Sequence, residues 1–175
     1  MEKDAIVSLL EDSHNKLYQW LETHAPEKWT LGPKGKWTTG QHTLHLLQSI
    51  KLLNKAMATP KVLLKYKFGK ANRPVRDYNT IIARYNSRLA NFKGTPTFRP
   101  SLKMKIPSIR EKNGLLDSIL VENKKLQAKT KKWTDKQLDN YILPHPLMGK
   151  MPVREIIMWT AYHTDQHLNT LKKNY

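Results

Sequence analysis

Two histidines one helical turn apart are the residues of this sequence best suited to chemistry. His163 and His167 are four residues apart, so on an α-helix they lie about 40° apart around the axis. Imidazoles at this spacing can reach the same metal ion. Both share a helix face with Ile156, Trp159 and Thr170. They interrupt an apolar stripe, and we therefore expect them to point into the protein.

A second segment also directs histidine inward. Residues 41–58 carry leucine or isoleucine on nearly every side, which is typical of a buried helix. His45 shares a face with Gln41 and Ser49, and His42 lies one turn earlier. Three or four buried neutral imidazoles that face one another need a partner, and one divalent cation satisfies them all. The sequence predicts a metal site between two helices, with His42 and His45 both candidates.

A simpler alternative needs no metal. Buried histidines commonly form hydrogen bonds with hydroxyl or amide side chains, and Thr160, Ser49 and Gln48 are near enough in the sequence to serve. The presence of histidines in two core helices favours the metal site over this alternative.

The remaining histidines and acids are weaker candidates. We expect His14 and His24, in or at the end of the first helix, to lie on the surface. His145 stands in a proline-flanked segment and fits an ordinary loop histidine or one that covers the site. Asp165 points away from the histidine face, so it is expected to be solvated. Glu155 and Glu122 are candidates for a general base only because of the helices that carry them.

The elements that must position these residues are helices. Apolar residues recur at three- and four-residue spacing in four long segments and one shorter one: 3–24, 38–58, 108–132 and 152–175, and 74–91. Thr38 and Gln41 have capping-box spacing at the start of the second. No segment alternates strictly, as a strand would. The sequence predicts an all-α fold, a four-helix bundle with one additional shorter helix, in a single domain over residues 1–175.

The segments between these helices are less defined. Residues 61–72 are basic and their structure stays open. Residues 133–150 are predicted to be a loop. Residues 94–107 are basic and contain three prolines, and they are predicted to be a mobile connection.

Composition excludes several classes of site. The 175 residues contain no cysteine, so disulfides, thiolate zinc sites and cysteine nucleophiles are excluded. No stretch approaches the roughly 20 apolar residues of a membrane span, and the start of the chain is unlike a signal peptide. We expect a soluble, cytoplasmic protein. The net charge is +17, but lysine dominates and the excess is scattered, which indicates a solvated surface.

Three local patterns together resemble one family. They are WTTGQ at 37–41 followed by His45, HPLMGKMP at 145–152, and His163-x-x-x-His167. Their order and spacing are similar to those of the DinB-like superfamily, bacterial four-helix bundles described as metal-dependent hydrolases and including thiol-dependent transferases. The resemblance implies that the metal ligands are His45, His163 and His167, which leaves His42 outside the triad. The family often has Glu at the position of Gln41, which weakens an acid–base role there.

The resemblance also implies a chemistry. Three imidazoles leave coordination positions open for water or substrate, as in a catalytic site. A bound Zn²⁺ or Ni²⁺ would activate a water molecule for hydrolysis or a small thiol for transfer. Any thiolate must come from a cosubstrate, since the chain has no cysteine. The resemblance further implies a homodimer and a small-molecule substrate.

Two rival functions remain open. The charge of +17 and the aromatics among lysines at 65–68 are compatible with a protein that binds nucleic acid or another polyanion. Alternatively, the bundle holds its metal as a structural or vestigial ion without catalysis.

Overall fold

A computed structural model of the protein describes residues 1–93, 98–102 and 104–175. The predicted all-α bundle is confirmed: within the described residues the chain forms seven α-helices and one two-stranded sheet. The elements are α1 Lys3–Thr23, α2 Thr39–Ala58, α3 Lys61–Phe68, α4 Tyr78–Ala90, α5 Lys112–Lys132, α6 Asp135–Asn140, β1 Ile142–His145, β2 Gly149–Pro152 and α7 Val153–Asn174.

The four long helices form a bundle with one open side. α5 packs closely along both α2 and α1, and α1 packs closely along α7. The order around the bundle is therefore α2, α5, α1, α7. The fourth side, between α2 and α7, has far fewer direct contacts. The histidines come from the two helices that flank this open side.

Apolar side chains at helical spacing fill the bundle. In α1, Ile6, Leu10 and Leu21 are fully buried, and Leu126 of α5 and Ile157 of α7 are as well. Burial of each such side chain stabilises the fold by about 2 kcal/mol. No helix in the described part of the chain is long and apolar enough to cross a membrane.

The start of α2 is fixed in two ways. The predicted capping box is present, since Thr38 Oγ1 accepts from the Gln41 N–H at 3.2 Å and Gln41 Oε1 accepts from the Thr38 N–H at 3.0 Å. Gly40 lies against the buried Trp29, and a Cβ there would be 2.9 Å from the indole. This close approach sets the first turn, and therefore the positions of His42 and His45, against the preceding segment.

The prediction of a loop over residues 133–150 is wrong in detail. Thr134 and Gln137 form a capping box that begins α6. β1 and β2 then form an antiparallel hairpin in which Leu143 is opposite Met151. Gly149 begins β2 with a φ of 73°, which glycine adopts without strain. Both elements are too short for a clear periodic signal in sequence.

The segment between α2 and α5 also differs from expectation. Residues 61–68, left open by the sequence, form α3, and the predicted helix at 74–91 begins only at Tyr78, where Asp77 Oδ1 accepts from the Thr80 N–H at 2.9 Å. In the connection at 94–107, residues 94–97 and Lys103 lie outside the described residues. Its mobility stays a prediction.

Candidate metal centre

Three imidazoles from two helices meet inside the open side of the bundle. His163 Nε2 lies 3.2 Å from His45 Nε2 and 3.0 Å from His167 Nε2. One ligand atom from each of the three lies within 4.8 Å of the others. The fourth candidate, His42, lies beside this cluster. Of the three clustered histidines, His167 is the one within hydrogen-bond distance of it. The structure thus brings together the histidines singled out by the sequence.

Burial keeps these histidines neutral. It lowers the pKa of His45 from 6.5 to about 4, with a smaller contribution from the neighbouring His42. The pKa values of His163 and His167 are well below 6.5 for the same reason, with the other imidazoles adding to the effect. Each ring therefore carries one N–H and one lone pair at neutral pH. Lone-pair nitrogens are what a divalent cation requires.

Hydrogen bonds on the far side of two rings indicate where the lone pairs are. His45 Nδ1 lies 2.8 Å from Ser101 Oγ, and His167 Nδ1 lies 2.7 Å from His42 Nδ1. If both Nδ1 atoms carry the proton, the Nε2 atoms of His45 and His167 present lone pairs to the cluster. Second hydrogen bonds of this kind orient metal-binding imidazoles.

The contact with His42 continues through a chain of polar groups. His42 Nε2 lies 3.3 Å from the Tyr175 hydroxyl, and that hydroxyl donates to the Trp37 carbonyl. The carbonyl can only accept. The proton on Tyr175 therefore faces Trp37, and a proton on His42 Nε2 can be donated to the tyrosine oxygen. His42 Nδ1 is then an acceptor, which places the proton of His167 on Nδ1.

The donor set fits a divalent cation. The Nε2 lone pairs of His45 and His167 both face His163 Nε2, and one N–H at that position could not satisfy both at full strength. Zinc–imidazole bonds of about 2.0–2.1 Å put tetrahedral ligand nitrogens about 3.3 Å apart, close to the 3.0 and 3.2 Å found here. With the His163 proton on Nδ1, all three Nε2 atoms present lone pairs, and one cation would satisfy them at once.

Two tryptophans flank the cluster. The Trp159 ring stacks on His163 with centroids 4.4 Å apart and an interplanar angle of 19°. The Trp37 ring lies 4.9 Å from that of His45 and 6.2 Å, nearly parallel, from that of His167. These rings exclude water from the sides of the cluster and restrict the rotation of the imidazoles.

The cluster opens into a large cavity of about 1020 Å³. Residues of α2, α3, α4, the β-hairpin and α7 line it. It occupies the side of the bundle where α2 and α7 are not closely packed. A metal held by the three histidines would therefore be accessible to a small molecule.

Comparison with known families gives one match. A model of the DinB superfamily matches residues 9–171, a range that includes most of α1 and α7, all of the helices between them and all three clustered histidines. The chain belongs to the DinB superfamily. This confirms the resemblance stated from the sequence motifs. Neither a search of curated proteins nor a search of solved structures found a match.

Several predictions about individual residues of this DinB-superfamily chain need correction. His14 is buried rather than on the surface, because its Nδ1 lies 2.8 Å from the Leu10 carbonyl and the ring fills the core. Asp165 is partly buried, and burial raises its pKa. His145 lines the cavity, but its Nδ1 accepts the backbone N–H groups of the hairpin turn at 3.0 and 3.1 Å.

The two candidate general bases lie outside the cavity lining. Glu155 is fully buried and forms an ion pair with Arg73. Glu122 accepts from Asn54 at 2.8 Å and pairs with Lys125. Both carboxylates therefore have structural partners.

Gln41 is committed to structure as well. Its side-chain oxygen completes the capping box, and its Nε2 donates to the Met104 carbonyl at 3.0 Å. This agrees with the weak acid–base role expected from the sequence.

Sequence reasoning missed the groups that orient the imidazoles. Ser101 and Tyr175 lie 56 and 133 residues from their histidine partners, so no local pattern marks them. The two adjacent leucines of α3 could have predicted part of the cavity wall, because they are apolar residues among several lysines.

Proposed function

We propose that this protein is a metal-dependent enzyme that acts on a small molecule, either as a hydrolase or as a small-thiol transferase. The ligands proposed are His45, His163 and His167. The observation that carries the proposal is the convergence of three neutral imidazole nitrogens at the wall of a large cavity.

The chain's own residues divide the work. The three histidines hold the cation, and Ser101 and His42 keep the rings in the required tautomers. Trp37 and Trp159 limit access of water from the sides. The bound Zn²⁺ or Ni²⁺ would supply a positive charge that lowers the pKa of water or of a thiol.

Thiol transfer is the better supported of the two reactions. No carboxylate is found among the described residues that line the cavity, so a carboxylate general base is missing there. A free thiol has a pKa of about 8.5, whereas that of bulk water is about 15.7. Thiol chemistry therefore demands less of a base. The thiol would be a cosubstrate, since the chain contains no cysteine.

Metal content tests the ligand assignment. Protein purified without an affinity tag would be loaded with Zn²⁺ or Ni²⁺, desalted and analysed for metal. We expect about one ion per chain in the native protein and none in His163→Ala/His167→Ala. His24→Ala is the matched control, because His24 lies outside the cavity lining, and it should retain the ion. Equal metal content in the double variant and the native protein would contradict the proposal.

Cobalt substitution separates the chemistries. We expect the visible spectrum of the Co²⁺ form to change on addition of a small thiol if the open positions bind thiolate. A Co²⁺ spectrum that responds to no added thiol, together with metal-dependent melting, would instead support a structural ion.

Binding of nucleic acid is the second candidate, and the net charge of +17 favours it. Phosphate contacts would make such binding fall steeply with salt. Retarded migration of DNA or RNA that fades as salt rises would support this function. Absence of retardation at low salt would remove it.

Three further expectations from the sequence stay proposals. We infer that residues 1–175 form one domain, that two copies form a homodimer, and that the protein is cytoplasmic. A single unfolding transition, sedimentation equilibrium and cell fractionation test these in turn.

A further inference from the structure

The cavity extends well beyond the histidines. Its volume of about 1020 Å³ is at the upper end of the range of about 300–1,000 Å³ found for small-molecule sites. Along α2, the lining residues run from His42 and His45 through Ser49 to Ala56. Helical rise puts Ala56 about 16 Å from His45. A small thiol and its reaction centre would leave most of this length unfilled.

The wall beyond the histidines is apolar. α3, α4 and the hairpin contribute leucine, proline and aromatic side chains to it: Leu63, Leu64, Phe68, Tyr85, Leu89, Leu143, Pro144 and Leu147. Some of these are deeply buried, such as Leu64, but Leu63 is about half exposed, at 54%. Apolar side chains left accessible in this way favour an apolar ligand.

The formal charges of the lining are of one sign. Among the described lining residues, Lys55 and Lys67 carry positive charge, and Asp and Glu are absent. Both lysines are exposed. Lys55 follows His45 by ten residues, or about 15 Å along the helix. Lys55 is therefore far from the histidines along α2.

We propose that the cavity binds an elongated, mostly apolar organic anion. Its hydrocarbon or aromatic body lies along α2 against α3 and the hairpin, and its acidic group faces Lys55 and Lys67. The opposite end reaches the histidine cluster. Only the reaction at that end rests on the proposed function; binding of the body and of the acidic group does not.

Displacement of a fluorescent fatty acid tests the proposal. The probe is a dansyl-labelled undecanoic acid, and the competitors are dodecanoate, dodecyltrimethylammonium and butyrate, all below micellar concentration. We expect dodecanoate to displace the probe at about tenfold lower concentration than the cation of equal chain length. Butyrate should be ineffective, because it lacks the apolar body.

Two variants locate the site. Ala56→Trp should fill the cavity and weaken binding of dodecanoate about tenfold or more. Lys55→Glu/Lys67→Glu should abolish the preference for the anion. The matched control is Lys34→Glu/Lys51→Glu, which changes the net charge equally at exposed lysines outside the lining and should leave the preference intact. Equal effects of the two charge reversals would overturn the proposal.

The metal-free variant separates this inference from the proposed enzyme. His163→Ala/His167→Ala should still bind dodecanoate, and Ala56→Trp should still bind metal. Failure of dodecanoate to displace the probe from the native protein would overturn the apolar-anion site while leaving the metal centre standing. Probe binding that is lost as the protein dimerises would show that a second copy covers the cavity, and it would also overturn the proposal.

Discussion

At the residue scale, the outer nitrogen of each imidazole matters as much as the inner one. His42 contributes no Nε2 to the cluster, yet its Nδ1 lies 2.7 Å from His167 Nδ1. With Tyr175 and the Trp37 carbonyl it sets the direction in which protons can be donated. The site therefore consists of three proposed ligands and a hydrogen-bonded chain that orients one of them. Mutations can test the roles of the ligands and of this chain separately.

Replacement of His42 tests that chain. We expect His42→Phe to lower Zn²⁺ affinity about 10–100-fold, as loss of a hydrogen-bond partner behind a ligand does. Tyr175→Phe should have a smaller effect, because it acts on His167 through His42. Competition with a chromophoric chelator measures both affinities. His24→Phe is the control, and unchanged affinity in His42→Phe would show that His42 has no orienting role.

The buried His14 predicts a pH dependence of stability. Burial lowers its pKa from 6.5 to about 4, so the unfolded chain takes up this proton at higher pH than the folded one. The associated stability is fully present above about pH 6.5 and is lost as the pH falls towards 4. Between pH 7 and 5 this one group removes about 2 kcal/mol.

Urea denaturation of metal-free protein measures this contribution. The free energy of unfolding of His14→Gln should fall by about 2 kcal/mol less than that of the native protein between pH 7 and pH 5. His24 is partly exposed, and partial burial lowers its pKa as well, so His24→Gln should reduce the decline less than His14→Gln does. An identical decline in His14→Gln and the native protein would contradict the assignment.

Sequence reasoning at this scale succeeded where chemistry repeats at short range. The spacing of His163 and His167, and the histidines of a second apolar helix, predicted that rings from these two helices would meet, whereas the choice of His45 over His42 came from the family resemblance. It failed for His14, because a polar ring at a core position is stabilised by a backbone carbonyl that no side-chain pattern reveals. Ser101 could not be found either, since its contact with His45 depends on the path of a connection.

At the element scale, α2 and α5 place glycine in opposite surroundings. Gly40 lies against Trp29, where a Cβ would be 2.9 Å from the indole and 3.2 Å from the Trp29 carbonyl oxygen. Gly114, in α5, is exposed, and nothing lies within 4 Å of a Cβ added there. Alanine should therefore have opposite effects at the two positions.

A matched pair of substitutions checks this expectation. Gly114→Ala should stabilise the protein by about 0.5–1 kcal/mol, through the higher helix propensity of alanine. Gly40→Ala should destabilise it by about 1–3 kcal/mol, because the buried indole must shift. Urea denaturation at equal pH measures both changes. Stabilisation by Gly40→Ala would show that Trp29 does not fix the first turn of α2.

The elements that sequence reasoning found are the long ones. Each long helix repeats its apolar face over several turns, whereas α6 and the hairpin have too few residues for a repeat. Those short elements depend on tertiary contacts instead: Tyr141 bridges to Lys70, and Arg154 of α7 donates to Asp139 at the end of α6. Such contacts cannot be read before the fold is known.

At the scale of the whole molecule, the candidate site lies where the bundle is least closed. α2 and α7 have few direct contacts compared with the other neighbouring pairs of long helices, and the space between them is the cavity. A cation held by His45 of α2 and by His163 and His167 of α7 would add a link across that side. Such a link is absent from the unfolded chain, so binding of metal must stabilise the fold.

Thermal unfolding with and without metal tests this coupling of the site to the bundle. At a free Zn²⁺ concentration of about 100 times the Kd, binding stabilises the folded state by about 2.7 kcal/mol. For a chain of this size that corresponds to a rise in Tm of about 5–10 °C. In His163→Ala/His167→Ala the rise should vanish, whereas in Ala56→Trp it should persist, because that change alters the cavity and leaves the ligands. An equal rise in the native protein and the histidine variant would mean that Zn²⁺ binds elsewhere, and the open side of the bundle would then have no metal link.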